Sequence, residues 1–329
     1  MKRSMNKWKI ITILGGILII QIVALILLYS FSFQKRKFRL TQKPLIKNFK
    51  AEDVKGLEIS DYQDAFSIEK KDDYWFVKIG ENYIPGDESK ITSYLEIVKN
   101  LKHGVIVDKG NKENYKHFRF DSEQSQKVKI IMNDDSSIVI HIGSAGSKQG
   151  TSYIRFNEEN KIREIDSFIS SETSNKPVLW AKRKIFDGLA LEDIERCEIE
   201  SYLDWFKGNY AIQYKEIGEK KSENYVLDPP LNKKIKDYAL ANIIVNILQL
   251  LIDDYKLDGS INTENTEVAN IKLMLKTGKN YNMKIFKAGE NDPGDYIIKV
   301  DFTKFLYIVD ENDLKLFIKS TDELIDEEK

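Results

Sequence analysis

The chain has 329 residues and a formal net charge of −1, a balance that hides a sharp split. Residues 1–50 hold 11 Lys/Arg and no acid, so the remainder carries 40 basic against 52 acidic side chains. That acidic remainder repels a phosphate backbone and argues against a nucleic-acid partner. The length accommodates a membrane segment plus two domains of ordinary size.

Residues 1–9 form a short basic leader. Ile10 to Phe33 is then a run of 24 residues without a charge. At the helical rise it is long enough to cross the roughly 30 Å hydrocarbon core with some tilt. A cleavable signal peptide has a shorter apolar region and a small-residue cleavage site. This run instead ends in Gln-Lys-Arg-Lys-Phe-Arg and is followed by no lipid-accepting cysteine, so it reads as an uncleaved transmembrane anchor at 10–33. Lys2, Arg3, Lys7 and Lys9 on one side face Lys35, Arg36, Lys37 and Arg39 on the other, so the positive-inside rule does not set the orientation. The short leader favours a signal anchor, with the bulk of the chain exported. Residues 34–50 read as a basic tether, with Lys35, Arg36, Lys37 and Arg39 as candidate lipid-headgroup contacts.

From residue 51 the chain reads as a repeated α+β unit. In the first copy (51–188), Leu57–Ile59, Ala65–Glu69 and Tyr74–Ile79 alternate as strands do. Ile84 to Asp87 reads as a turn. Ile91, Tyr94, Leu95, Val98 and Leu101 then mark the apolar face of one helix. Strands follow at Lys127–Met132, Ile138–Ile142, Ser152–Phe156 and Lys161–Ile165. The second copy (189–320) repeats the order with Cys197–Glu200, Tyr210–Tyr214, a helix over Lys233–Asp254, then Ile271–Leu275, Asn282–Phe286, Tyr296–Val300 and Leu306–Val309. A short helix is expected at Asp313–Lys319, and the acidic tail, 321–329, is expected to fray.

The duplication is visible in the letters themselves. Lys127 to Met132 answers Asn270 to Leu275, Ile138 to Gly146 answers Tyr281 to Gly289, and Asn82-Tyr83-Ile84 answers Asn224-Tyr225-Val226. The expected fold is an N-terminal transmembrane helix followed by two tandem units, each a mainly antiparallel sheet with one packed helix.

Catalytic and cofactor signatures do not emerge. His103, His117 and His141 are scattered and unpaired with other ligands at metal spacing. Gly143 to Lys148 lacks the adjacent Gly-Lys-Ser/Thr and following helix of a phosphate loop. Asp258 to Glu264 lacks the glycine and the distal glutamate of a calcium loop. Cys197, alone in the chain, reads as a small apolar residue in a strand. Asn242, Asn246 and Gln249 form an amide stripe on the apolar second helix. That stripe fits a solvent edge, a bond network to the neighbouring copy, or a partner-binding face. The expectation is a protein that is not an enzyme and uses no metal or cofactor.

Taken together, Tyr74-Trp75-Phe76-Val77, the loop and helix from Ile84 to Leu101, Ile142-Gly143, Tyr153-Ile154-Arg155 and Leu179 to Phe186 resemble the bacterial family called domain of unknown function 4340. The likeness covers roughly 55–320. It departs where Phe286-Lys287 stands opposite Ile142-Gly143. The resemblance implies an extracytoplasmic protein of the bacterial inner membrane, an accessory to ABC transporters of the gliding type, with transporter membrane subunits as partners. It brings no catalytic residue. The alternative expectation is an envelope glycan- or lipid-binding module that uses a groove between the repeats, with Trp75 and Trp205 as binding aromatics.

Overall fold

The computed structural model describes residues 16–26 and 43–326, apart from 62–63, 122–124, 217–223, 232, 237, 258–259, 262–264 and 290–293. Residues 16–26 form a helix, α1, exposed along its whole length. Among the described residues no helix is long and apolar enough to cross a membrane, and the rest of 10–33 lies outside them. Lys35, Arg36, Lys37 and Arg39 also lie outside the described residues.

The chain divides into two compact units, residues 1–80 with 88–175, and 81–87 with 176–329. The first copy supplies β1 (Val54–Ser60), β2 (Ala65–Lys71), β3 (Tyr74–Ile79), β4 (Asn82–Pro85), α2 (Glu88–Lys99), β5 (Val105–Asp108), β6 (Gln126–Met132), β7 (Ser137–Ala145), β8 (Ser152–Phe156), β9 (Ile162–Ile165) and α3 (Ile169–Glu172). These strands form a sheet in the order β4-β3-β2-β1-β6-β7-β8-β9-β5. The second supplies β10 (Ile194–Leu203), β11 (Phe206–Tyr214), β12 (Tyr225–Asp228), α4 (Ala239–Leu248), β13 (Asp254–Lys256), β14 (Glu267–Leu275), β15 (Asn280–Lys287), β16 (Tyr296–Val300), β17 (Leu306–Val309), α5 (Glu311–Lys315) and α6 (Thr321–Leu324). Its sheet order is β12-β11-β10-β14-β15-β16-β17-β13. The architecture is α+β, with two antiparallel sheets and few helices, and both sheets follow one plan.

The shared plan extends to details that carry no sequence identity. β1 and β6 slip register between Val54 and Gly56, and β10 and β14 slip between Ile194 and Arg196. Beyond each bulge the strand-to-turn bond is repeated, Asn133 N to Asp53 O at 2.7 Å and Lys276 N to Asp193 O at 2.9 Å. A bulge bends its strand and is kept because the pairing on either side depends on it. In the sheet, β12 lies beside β11 as β3 lies beside β2, and among the described residues no strand of the second sheet takes the edge place of β4.

The repeat begins earlier than the expected boundaries. Leu45, Ile46 and Phe49 are buried, so 43–50 is folded structure and not tether. Pro44 bridges to Lys102 as Lys184 bridges to Leu251. His103 N donates to Lys43 O as Ile252 N donates to Arg183 O, both at 2.9 Å. Asn48 (φ 55°) and Gly188 (φ 82°) hold the same left-handed turn, which Asn and Gly adopt most readily. The second copy therefore starts at Arg183.

Three further expectations are corrected. The second helix is α4, 10 residues, because Tyr238 takes a left-handed conformation ahead of it and the apolar residues after Leu248 turn into the approach to β13. Ile84 and Pro85 complete a strand, not a turn. The tail docks over its first residues: Ser320 caps α6, Leu324 is buried and Ile325 bridges to Ile235.

Each sheet buries one face. In the first, Leu57, Ile59, Ile68, Val77, Val128 and Ile130 point inward, and α2 contributes Ile91, Tyr94, Leu95 and Val98. In the second, Cys197, Ile199, Ile271 and Leu273 do the same, with Ile243, Ile244 and Ile247 from α4. The period-two alternation leaves the opposite face of each sheet to charged residues.

Candidate functional site

The outward faces of the two sheets hold clefts at equivalent positions, the first lined by residues of β1, β2, β3 and β6 and the second by β10, β11, β12 and β14. Their volumes are about 450 and 370 Å³. Cross-strand register fixes the correspondence. One rung of the first sheet reads Lys129, Glu58, Ser67, Lys78. The matching rung of the second reads Lys272, Glu198, Ala211, Asp228. Three positions keep their chemistry: a lysine, a glutamate beside it, and a small residue that forms the floor. The fourth reverses sign, from Lys78 to Asp228.

The neighbouring rung continues the difference, with Lys127, Ser60 and Ala65 against Asn270, Glu200 and Asn209. Among charged lining residues the first cleft has Lys78, Lys127 and Lys129 against Glu58. The second has Arg196 and Lys272 against Glu198, Glu200 and Asp228. One is basic and the other acidic.

The residue just beyond the shared bulge differs between the two sheets. Gly56 occupies the position just beyond it in β1 and Arg196 the same position in β10. Arg196 donates to Glu198 at 2.9 Å, to Asp228 at 2.8 Å and to Gln213 at 3.0 Å. The bonds to Asp228 and Glu198 hold its pKa above the ordinary guanidinium value. An aspartate on the fourth strand thus has a fixed cation beside it. The glycine offers none, and Glu58 turns to Lys129 at 3.1 Å. That pair is half-exposed and contributes no more than about 1 kcal/mol. At the second cleft the Asn270 Oδ1 atom is buried and accepts no bond from the protein.

Basic character continues along the first sheet. Lys127 lies opposite His141, and His141 opposite Arg155. Burial, and then the charges of Arg155 and Lys127, lower the His141 pKa below its ordinary value. The Arg155 guanidinium rests 4.5 Å from the Tyr115 ring centre, a cation–π contact that holds it over the sheet.

The amide stripe divides. Asn246 donates from Nδ2 to Leu316 O at 2.9 Å, tying α4 to the segment after α5. Asn242 is exposed above a shallow depression floored by Ala239, Ile243 and Leu324, and Gln249 is exposed just past the helix end. Trp75 is buried in the first unit. Trp205 in the second is half-buried, donates to Ile318 O at 3.2 Å and meets Tyr296 edge-on. Both indoles are taken up by packing inside their own unit. Cys197 is fully buried and its thiol pKa is pushed up by desolvation, in keeping with a core residue.

Among the described residues one acidic grouping has metal-ligand spacing. Oxygens of Asp253, Asp310 and Asp313 lie within 4.8 Å of one another. Asp310 caps α5 by accepting from Asp313 N at 3.1 Å. Burial, and then the Asp310 charge, raise the pKa of both Asp253 and Asp313, while Arg183 acts against the rise. This is the arrangement of a helix cap with a crowded charge.

Residues 75–259, more than half of the chain, match the family described as domain of unknown function (DUF4340), and the chain belongs to that family. The matched stretch runs from β3 of the first copy to just past β13 of the second. No curated protein and no solved structure matches the chain.

Proposed function

We propose that the chain is a non-enzymatic accessory component of an ABC-type transport complex of the gliding type. It is anchored in the bacterial inner membrane by residues 10–33, holds both units outside the cytoplasm, and docks partner polypeptides on its two open sheet faces. The observation that carries this reading is the repeated rung, Lys129-Glu58-Ser67-Lys78 and Lys272-Glu198-Ala211-Asp228. The two copies keep a small floor residue and a lysine beside a glutamate at the same register, yet reverse the charge at the fourth strand. Electrostatic complementarity of that kind selects partners and orients their approach more than it adds affinity. Family membership supports the transport setting, since the family resemblance implies an association with transporter subunits.

The test is a photo-reactive residue in place of Ser67 or Ala211, at the two floors, in cells. Cross-links to transporter membrane subunits are expected from both. A protein that stays uncross-linked at both positions and purifies alone in mild detergent overturns the proposal. Cross-linked glycan or lipid in their place would favour the envelope-binding alternative.

A further inference from the structure

In the first sheet β5 is one of the two edge strands, and Val105, Ile106 and Val107 are 41%, 46% and 39% exposed. An edge strand ordinarily buries alternate side chains; here three consecutive branched apolar residues are uncovered on both faces. The equivalent strand of the second copy, β13, does the opposite: Tyr255 at its centre is 6% exposed and packs edge-on against Phe305 and Tyr307. An exposed apolar edge is a liability that folded domains otherwise cover or charge.

Lysines flank β5 at both ends, alongside Asp108 within the strand and Glu164 across from Val105. Lys102 and Lys109 flank it and are exposed. Lys43, on the chain entering the unit, accepts the His103 amide at its carbonyl, two residues before β5. Arg163 donates to His103 O at 3.4 Å. Desolvation and then the Arg163 charge lower the His103 pKa, opposed by Glu159, which pairs with Arg163 at 2.8 Å; Lys43 and Lys47 add to the lowering from near the approach to β5. The chain that arrives at Lys43 comes from the apolar run 10–33, with nine residues between.

We infer that the β5 edge rests on an anionic bilayer, with Val105–Val107 at the boundary between headgroups and acyl chains and Lys43, Lys47 and Lys102 among the headgroup phosphates. Branched apolar side chains inside a basic rim match both layers of such a surface. The point of chain entry brings this edge to the membrane. The inference rests on the anchored reading for that nearness alone.

The experiment uses the full chain carrying Ile106→Cys, labelled with an environment-sensitive fluorophore, in nanodiscs of mixed phosphatidylcholine and phosphatidylglycerol. Buried Cys197 stays unlabelled, and Tyr74→Cys on the β2–β3 hairpin, 68% exposed, is the control. The label at 106 is expected to shift to the blue and to be quenched by spin-labelled lipid, the label at 74 to do neither. Replacing Lys43, Lys47 and Lys102 by Gln is expected to weaken the immersed state about fivefold for each lysine. A chain that incorporates while its 106 label remains in water overturns the inference and leaves the anchor standing. A chain that does not incorporate overturns the anchor; mixed with vesicles of the same lipids, its 106 label then decides the inference by the same immersion.

Discussion

Leu45→Ala separates a folded start at residue 43 from a tether. Leu45 is 6% exposed and its amide donates to Leu101 O at 2.7 Å. The substitution removes three carbons of a buried side chain, about 2.4 kcal/mol of transfer free energy at ~0.8 per carbon. The cavity left behind brings the expected loss to about 3 kcal/mol. Hydrogen exchange under increasing urea, read in peptides spanning β1 and β6, measures the opening free energy of the first unit. A fall of about 3 kcal/mol there is expected, with Ile185→Ala giving a comparable fall in peptides spanning β10 and β14. The exposed neighbour Lys50→Ala should change little. A Leu45→Ala loss below about 0.5 kcal/mol, the size usual for surface positions, would refute the reasoning.

Native Cys197 is expected to resist an aromatic disulfide reagent until the chain is unfolded in urea; rapid reaction in buffer would contradict its burial. Asp253 and Asp313 have raised folded-state pKa values. Their protonated forms therefore favour the fold, and stability is lost as pH climbs from about 4 through the raised values. Asp313→Asn should raise the melting temperature at pH 7 and lose that advantage near pH 3, as thermal unfolding across pH will show. His103 and His141 are lowered instead. Their contribution is present above the ordinary histidine value and is lost as pH falls from there through the folded-state values. His141→Gln should flatten that acid-side slope in the same titration. Arg196→Gly is expected to weaken the hold on Asp228 and to destabilise the second unit by about 1–2 kcal/mol, measured by hydrogen exchange in β12. An unchanged β12 would mean that the fork carries no weight.

Much of the fold was legible because alternation and duplication reinforce each other. The strands at 127–132 and 271–275 each follow a period of two, and each predicts the other. Other features leave no mark in the sequence, for physical reasons. Residues 43–50 read as tether because Lys43, Lys47 and Lys50 continue the basic stretch begun at Lys35, while Leu45, Ile46 and Phe49 are too few to show a period. The helix over 233–254 reads longer than it is because Leu250 and Ile252 are buried beyond the helix end, on extended chain rather than a helical face, and composition does not separate the two. The clefts were invisible for a different reason. Glu58, Lys129 and Lys78 look in sequence like any solvated strand face, and only pairing register places them on one rung, matched in the second sheet by Glu198, Lys272 and, opposite in sign, Asp228. A comparison of Glu58 with Glu198 and Lys129 with Lys272 in the aligned repeats was the one signal available. Two of the amide positions, Asn242 and Asn246, were placed correctly on one helix, but the Leu316 carbonyl that takes up Asn246 lies 70 residues away.

The reversal between Lys78 and Asp228 has a genetic corollary. Had the two units been separate copies of one polypeptide assembled as a symmetric pair, every substitution in one cleft would have appeared in the other, and the two could never have acquired opposite sign. Fusion in one reading frame removes that coupling. It also sets the ratio of basic to acidic sockets at one to one in every molecule, whatever the expression level, so a partner that needs both meets them already joined.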